Sequence, residues 1–229
     1  MSTRWFCAAL ALTIAVGAGA CGSPPPDPTA LLHQAKTLVD AAHSVHFQLS
    51  STGAQGTGPV ITGGSGELVR PASFSGMLNV TLSGFAVDVN VVSTGGSFFV
   101  KLPTDTSYLP ANPGDYGFAD PAQLLDPQHG VSGLLLLCQS TALSSDDRYN
   151  GEQLQEIGCK LPGNAVAELL TSADPSQGVA ATFGVTADNQ LRKVVLDGPF
   201  YSATKHSTFT LVLDKYGENV SITAPPSPG

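Results

Sequence analysis

FSGMLNVTLSGFAVDVNV, residues 74–91, alternates apolar and polar side chains on both sides of a single Ser-Gly step. Phe74, Gly76, Leu78, Val80 and Leu82 point one way and Ser75, Asn79, Thr81 and Ser83 the other, which is the two-residue period of a strand with one buried face. Ser83-Gly84 supplies a turn, and Phe85, Val87, Val89 and Val91 repeat the pattern, so the stretch predicts a β-hairpin. Thr94-Gly95-Gly96-Ser97 turns again into Phe98, Val100 and Leu102, which extends the hairpin to a three-stranded antiparallel meander.

Upstream, Val45, Phe47 and Leu49 alternate in the same way, and a Gly-rich stretch from Gly53 to Gly66 separates them from the hairpin. Downstream, strands are expected from Tyr149 to Leu161, through Ala181, Phe183 and Val185, from Leu191 to Leu196, through Phe209, Leu211 and Leu213, and through Val220 and Ile222. Asp188-Asn189 and Gly217-Glu218-Asn219 are turn signals. Helical segments interrupt the strands. Asp27-Pro28 offers an N-cap acid and a proline at the first helical position. Leu31, Leu32, Ala35, Leu38, Val39 and Ala42 then form one apolar stripe. In the middle of the chain, Asp120-Pro121 starts a short helix carrying Leu124 and Leu125, and Asp126-Pro127 interrupts it. The run Leu134 to Leu137 is either plain core helix or a lid or mouth element that touches something apolar other than protein. Asn164 is expected to cap a brief helix through Val166, Leu169 and Leu170. Two runs of antiparallel strands with segregated helices make an α+β pattern.

Charged residues are 12% of the 229, and the mixture favours strands and turns over long solvent-exposed helices. The net charge of −8 argues against nucleic acid or an anionic surface as partner, since both need clustered basic side chains. The chain opens with Arg4, an uncharged apolar run from Trp5 to Val16, and Ala18-Gly19-Ala20-Cys21, the form of a secretory signal peptide over residues 1–20. Small residues running into Cys21 resemble the lipobox of bacterial lipoproteins. That resemblance implies cleavage before Cys21, a diacylglyceryl thioether on its thiol and an acylated, palmitate-type amino terminus. One departure is Ala18, where the lipobox usually has leucine. The alternative is ordinary secretion with Cys21 as a free thiol. Residues 21–28 read as a Pro-rich tether that holds the folded part roughly 20 Å from its anchor, at ~3 Å per residue. A single domain over residues 29–225 with a tail at 226–229 is expected, and no later apolar run is long enough to span a bilayer. Cys138 and Cys159 remain as an even pair. In an oxidising compartment they are expected to form a disulfide, which closes a loop of about 20 residues and contributes ~3 kcal/mol in the chain-entropy model. Two buried thiols are the other reading.

Motifs for catalysis are absent from the sequence. Gly63-Gly64-Ser65-Gly66-Glu67 and Gly130-Val131-Ser132-Gly133-Leu134 each lack the final glycine of a nucleophile elbow. His43 and His46 stand three apart but straddle the change from helix to strand, with no third ligand at metal spacing. His33, His129 and His206 are isolated, Asp146-Asp147 sits in a polar loop, and no Gly-rich loop joins a strand to a helix as phosphate binding requires. Neither a cofactor nor an enzymatic activity is expected.

Several segments together are similar to the LppX/LprG group of mycobacterial envelope lipoproteins. They are Leu31-Leu32-His33-Gln34-Ala35 with Ser44-Val45-His46-Phe47, Asp120 to Pro127 with Gly130-Val131, and Phe209-Thr210-Leu211 with Lys215 to Pro225. The resemblance implies a strongly curved antiparallel sheet, a half-barrel, with helices on its concave side and an apolar cavity between the layers. It also implies a carrier of acylated lipids or glycolipids across the cell envelope, anchored to the outer face of the cell membrane. Such a carrier is expected to be monomeric and to work with an integral membrane exporter. The Gly-rich stretch reads as an insertion relative to the family, and the cysteine pair is not one of its hallmarks. Inward strand positions are then the expected lining: Leu78, Val80 and Leu82; Val87, Val89 and Val91; Phe98 and Val100; Phe183 and Val185; Phe209 and Leu211. Leu134 and Leu137 are expected at the mouth. Two other functions stay open: an envelope surface module with a closed, packed core that binds another protein, and an esterase with an unrecognised site.

Overall fold

The computed structural model describes residues 25–144 and 146–226. Ala18, Cys21, the signal sequence, part of the tether and the last three residues lie outside them. The chain begins with helix α1 (Pro28–Ala41), where the Asp27 carboxylate accepts from the Thr29 amide at 3.0 Å, as Asp-Pro predicts. Leu32, Ala35 and Val39 bury the stripe, whereas Leu38, expected in it, lies on the helix flank and is exposed.

Strands β1 (Ser44–Thr52), β2 (Val60–Val69), β3 (Ser73–Leu82), β4 (Phe85–Thr94), β5 (Ser97–Lys101) and the two-residue β6 (Leu109–Pro110) follow as one antiparallel meander. The quoted hairpin is β3–β4, in the expected register, with Val80 opposite Val87 and Leu82 opposite Phe85. Ser83 and Gly84 both take positive φ, 49° and 86°, the backbone that a two-residue turn needs to match strand twist. The tip runs past the core, so Phe85 is 75% exposed.

Helix α2 (Val131–Leu136) precedes β7 (Gln139–Leu143), β8 (Asp147–Tyr149) and β9 (Glu152–Leu161). Short helix α3 (Gly163–Ala167) leads into β10 (Val179–Val185), β11 (Leu191–Gly198) and β12 (Ser207–Asp214). This second meander meets the first in the middle: β12 pairs with β1, so the sheet runs β6-β5-β4-β3-β2-β1-β12-β11-β10-β9-β7, with β8 beside β9. The two edges, β6 and β7, are joined by residues 111–138, which cross the concave side through 3-10 turns at Pro113–Tyr116 and Pro121–Leu125 and through α2. Helix α1 packs beside α2, held by Lys36 Nζ donating to Pro127 O at 2.5 Å and by Ser132 Oγ donating to Asp40 at 2.6 Å. The result is a large, curved, unclosed sheet with few helices.

Three readings of the sequence are corrected and one strand is added to them. The Gly-rich stretch is half strand: β2 carries Gly63, Gly64 and Gly66. Gly66 lies opposite Gly76 of β3, and an ideal Cβ on Gly76 would stand 2.3 Å from Ser65 O and 2.6 Å from Gly66 Cα. The glycines therefore let two strands approach and coil more closely than side chains permit. Second, Gln139–Leu143, for which the sequence signals no element, is a strand, brought to β9 beside the expected Cys138–Cys159 disulfide, which forms. Third, Pro162 occupies the N-cap position of α3, and Asn164 lies inside its first turn. Last, Val220 and Ile222 lie in irregular chain, since β12 already has both neighbours. The segment is instead fastened to the start of β1, by Gly217 N donating to Ser44 O and Ser44 Oγ to Glu218 O.

Tyr216 in this segment donates its hydroxyl to Leu191 O at 2.5 Å. Burial raises its pKa above the usual phenol value, against the Arg192 charge and with help from Asp214. The folded state therefore favours the neutral phenol, and its contribution is whole below about pH 10 and lost as pH rises above that. Urea unfolding at pH 8 and pH 11 should show this decline in wild type and a smaller one in Tyr216→Phe. At pH 8 the variant should be roughly 1–2 kcal/mol less stable for want of the donor. Equal pH dependence in the two proteins would refute the assignment.

Candidate functional site

Where β1 and β12 meet, one inward row of the sheet reads Leu78, Gly64, Leu49, Leu211, Val194 from β3 to β11. Gly64 carries no side chain there, Leu78 Cδ2 standing 2.7 Å from its Cβ position, and the crossover of residues 111–138 lies across the row. Between them lies an apolar cavity of about 90 Å³. Phe47, Ile61, Leu196 and Phe209 complete its sheet side. Its roof is Phe118 to Pro121 and Leu124 of the crossover, Val131 and Leu134 of α2, and Leu169 and Leu170 after α3.

Asp120 is the one ionisable residue bordering the cavity among the described residues, and both of its oxygens are used. Oδ1 accepts from the Ala122 amide at 3.0 Å and Oδ2 from Ser93 Oγ at 2.8 Å, so the carboxylate pins the roof to β4. At the next bend the amides of His129 and Gln128 hold the Asp126 carboxyl below its ordinary pKa. The roof segments are tied to each other by Thr171 Oγ1 donating to Gly117 O at 3.1 Å. At the far end, the disulfide fastens the exit of α2 to β9.

Of the expected lining, Leu78, Leu134, Phe209 and Leu211 border the cavity. Val80, Val89, Val91, Phe98, Val100, Phe183 and Val185 also face inward but lie in sealed core on either side of it. Leu82 and Val87 are half-buried near the hairpin tip, and Leu137 is exposed with Leu136 at the end of α2. The leucine run thus splits in two, Leu134 and Leu135 buried and the next pair in solvent. The sequence did not single out Leu49, Val194 or the roof as lining, because β1 and β12 are far apart in the chain and their pairing sets the cavity's centre. His43 is exposed while His46 turns to the convex face, where its Nδ1 donates to Asp214 at 2.6 Å. Among the described residues no three side chains converge on a metal position.

A family model described as LppX_LprAFG lipoprotein matches residues 27–222. The chain belongs to that family. Lipoarabinomannan carrier protein LprG of Mycobacterium tuberculosis and of Mycobacterium bovis is 29% identical to this chain over 217 residues, 92% of this chain and 87% of the relative. The crystal structure of LprF from M. bovis superposes with a TM-score of 0.68 at 17% identity, covering 90% of this chain and all of that one. Lipoprotein LppX of M. tuberculosis gives 0.63 at 19% identity, covering 86% and 98%. Both share the curved, open sheet of this chain.

Proposed function

We propose that this protein is a non-enzymatic carrier of the cell envelope that holds the acyl chains of a lipid or acylated glycolipid between its concave sheet and the crossover. The observation that carries the reading is the cavity itself: an apolar space at the centre of the sheet, with its single carboxylate already consumed by structural hydrogen bonds. Acyl chains need an apolar lining and no reactive group. The relatives named as lipoarabinomannan carriers support the same class of cargo. An acyl anchor on Cys21 would keep the cavity near the outer face of the membrane it draws from, and an integral membrane exporter would supply or drive the cargo.

At about 90 Å³ the cavity is smaller than the ~150 Å³ that admits benzene and well below ordinary ligand sites. Admission of an acyl chain therefore requires the roof to lift. The Gly117–Leu125 end is held by few polar bonds, whereas the α2 end is fixed covalently, so the roof should hinge at Cys138. Small volume and the exposed Leu136, Leu137 and Phe85 favour the second reading, a packed module that docks on another protein.

Mass spectrometry separates them. A Cys21→Ser form purified from its native host should carry acylated lipid in near-stoichiometric amount after detergent-free purification. A chain that comes through free of lipid under those conditions is the packed module.

A further inference from the structure

The convex face, opposite the cavity, carries a second depression that lipid carriage leaves unused. It measures about 420 Å³, within the ~300–1,000 Å³ span of small-molecule sites. Its floor comes from four adjacent central strands. Ser65 of β2 lies opposite Gln48 of β1, Ser50 of β1 lies opposite Thr210 of β12, and Asn79 joins them from β3. Tyr149 comes from β8. That strand is fastened over the sheet by Asp147, which pairs with Lys193 of β11; Lys193 also holds Glu156 at 2.6 Å.

The chemistry of this groove is narrow. Of its side chains, only His46 and Asn79 hydrogen-bond within the protein among the described residues, His46 to Asp214 at 2.6 Å and Asn79 Nδ2 to Asp88 at 2.7 Å. Asp214, Asp88 and Lys193 are therefore engaged; Glu67, across the ladder from His46, keeps one buried carboxylate oxygen without a partner, an acceptor for a hydroxyl at that end of the groove. A peptide strand would need an open sheet edge, and β1, β2 and β12 are central strands paired on both sides. What remains are hydroxyls and an amide, on Ser50, Ser65, Thr210, Tyr149 and Gln48, which donate and accept at once. Their match is an uncharged ligand dense in hydroxyls, with a C–H face to lay on the Tyr149 ring.

We propose that the convex groove binds a neutral oligosaccharide segment, independently of what the cavity holds. The sugar could belong to a free envelope polysaccharide or to the head group of a glycolipid, and the two sources are separable. Full-length protein is to be titrated calorimetrically with delipidated mannan and with delipidated arabinogalactan. Binding of at least one is expected, with affinity falling at least tenfold in Gln48→Ala and in Tyr149→Ala. The Gln48 side chain is exposed and makes no hydrogen bond within the protein, so its variant should fold as wild type. Leu211→Trp, which fills the cavity from the other face, should bind the polysaccharide normally, whereas a sugar recognised only as part of a lipid in the cavity would be lost with it. The proposal is overturned if neither polysaccharide binds, if both groove variants bind as wild type, or if Leu211→Trp abolishes binding. Lipid carried by Gln48→Ala, measured by mass spectrometry, keeps this result distinct from the fate of the carrier reading.

Discussion

Gly76→Ala is expected to destabilise the fold by about 3 kcal/mol or more, the upper end for overpacking, although it adds a single methyl group. The new Cβ would stand 2.3 Å from Ser65 O, 2.6 Å from Gly66 Cα and 2.8 Å from the Phe74 ring. Two of those neighbours are backbone of the paired strand, so no rotamer change relieves the clash. Strands β2 and β3 must separate, and the ladder between them is part of the continuous centre of the sheet. Gly58→Ala is the control: nothing lies within 4 Å of its Cβ position, and its stability should match wild type within roughly 0.5 kcal/mol. Urea unfolding of the three proteins decides the matter. A Gly76→Ala midpoint equal to that of Gly58→Ala would mean that the close approach of the strands is not required.

Leu211→Trp should empty the protein of lipid while leaving it folded. Leu211 is half-buried on β12, opposite Leu49 on one side and Val194 on the other, in the row that floors the cavity. An indole there takes up the space between sheet and roof without disturbing a hydrogen bond. Excluding as few as four methylenes from the cavity removes about 3 kcal/mol of transfer free energy at ~0.8 kcal/mol each, more than a hundredfold in affinity. Co-purified lipid should fall by at least tenfold, with the thermal midpoint unchanged or raised. Wild-type lipid content in a folded Leu211→Trp protein would place the acyl chains elsewhere.

The hairpin and the first helix were legible because their signals are local. Val80 and Val87 fall on one face through alternation alone, and Asp27-Pro28 marks a helix start without reference to anything distant. Strand β2 was not legible for the opposite reason: Gly63, Gly64 and Gly66 erase the alternation, and their use is visible only once Gly66 is known to face Gly76. The cavity follows the same rule. Alternation identified inward positions such as Val89 and Phe183 correctly as inward, but which of them border open space depends on where residues 111–138 cross. That path, like the β1–β12 pairing that seats Leu49 beside Leu211, is a property of the assembled chain.

The meeting of β1 with β12 also sets the order in which the molecule can be completed. His46 and Asp214, bonded across that junction, are 168 residues apart. Until the C-terminal strand has been synthesised, β1 lacks one neighbour and the two meanders cannot join. Long-range pairing of this kind makes for slow folding. A chain still emerging from the ribosome is therefore held short of its native state by its own topology until the last strand closes the sheet.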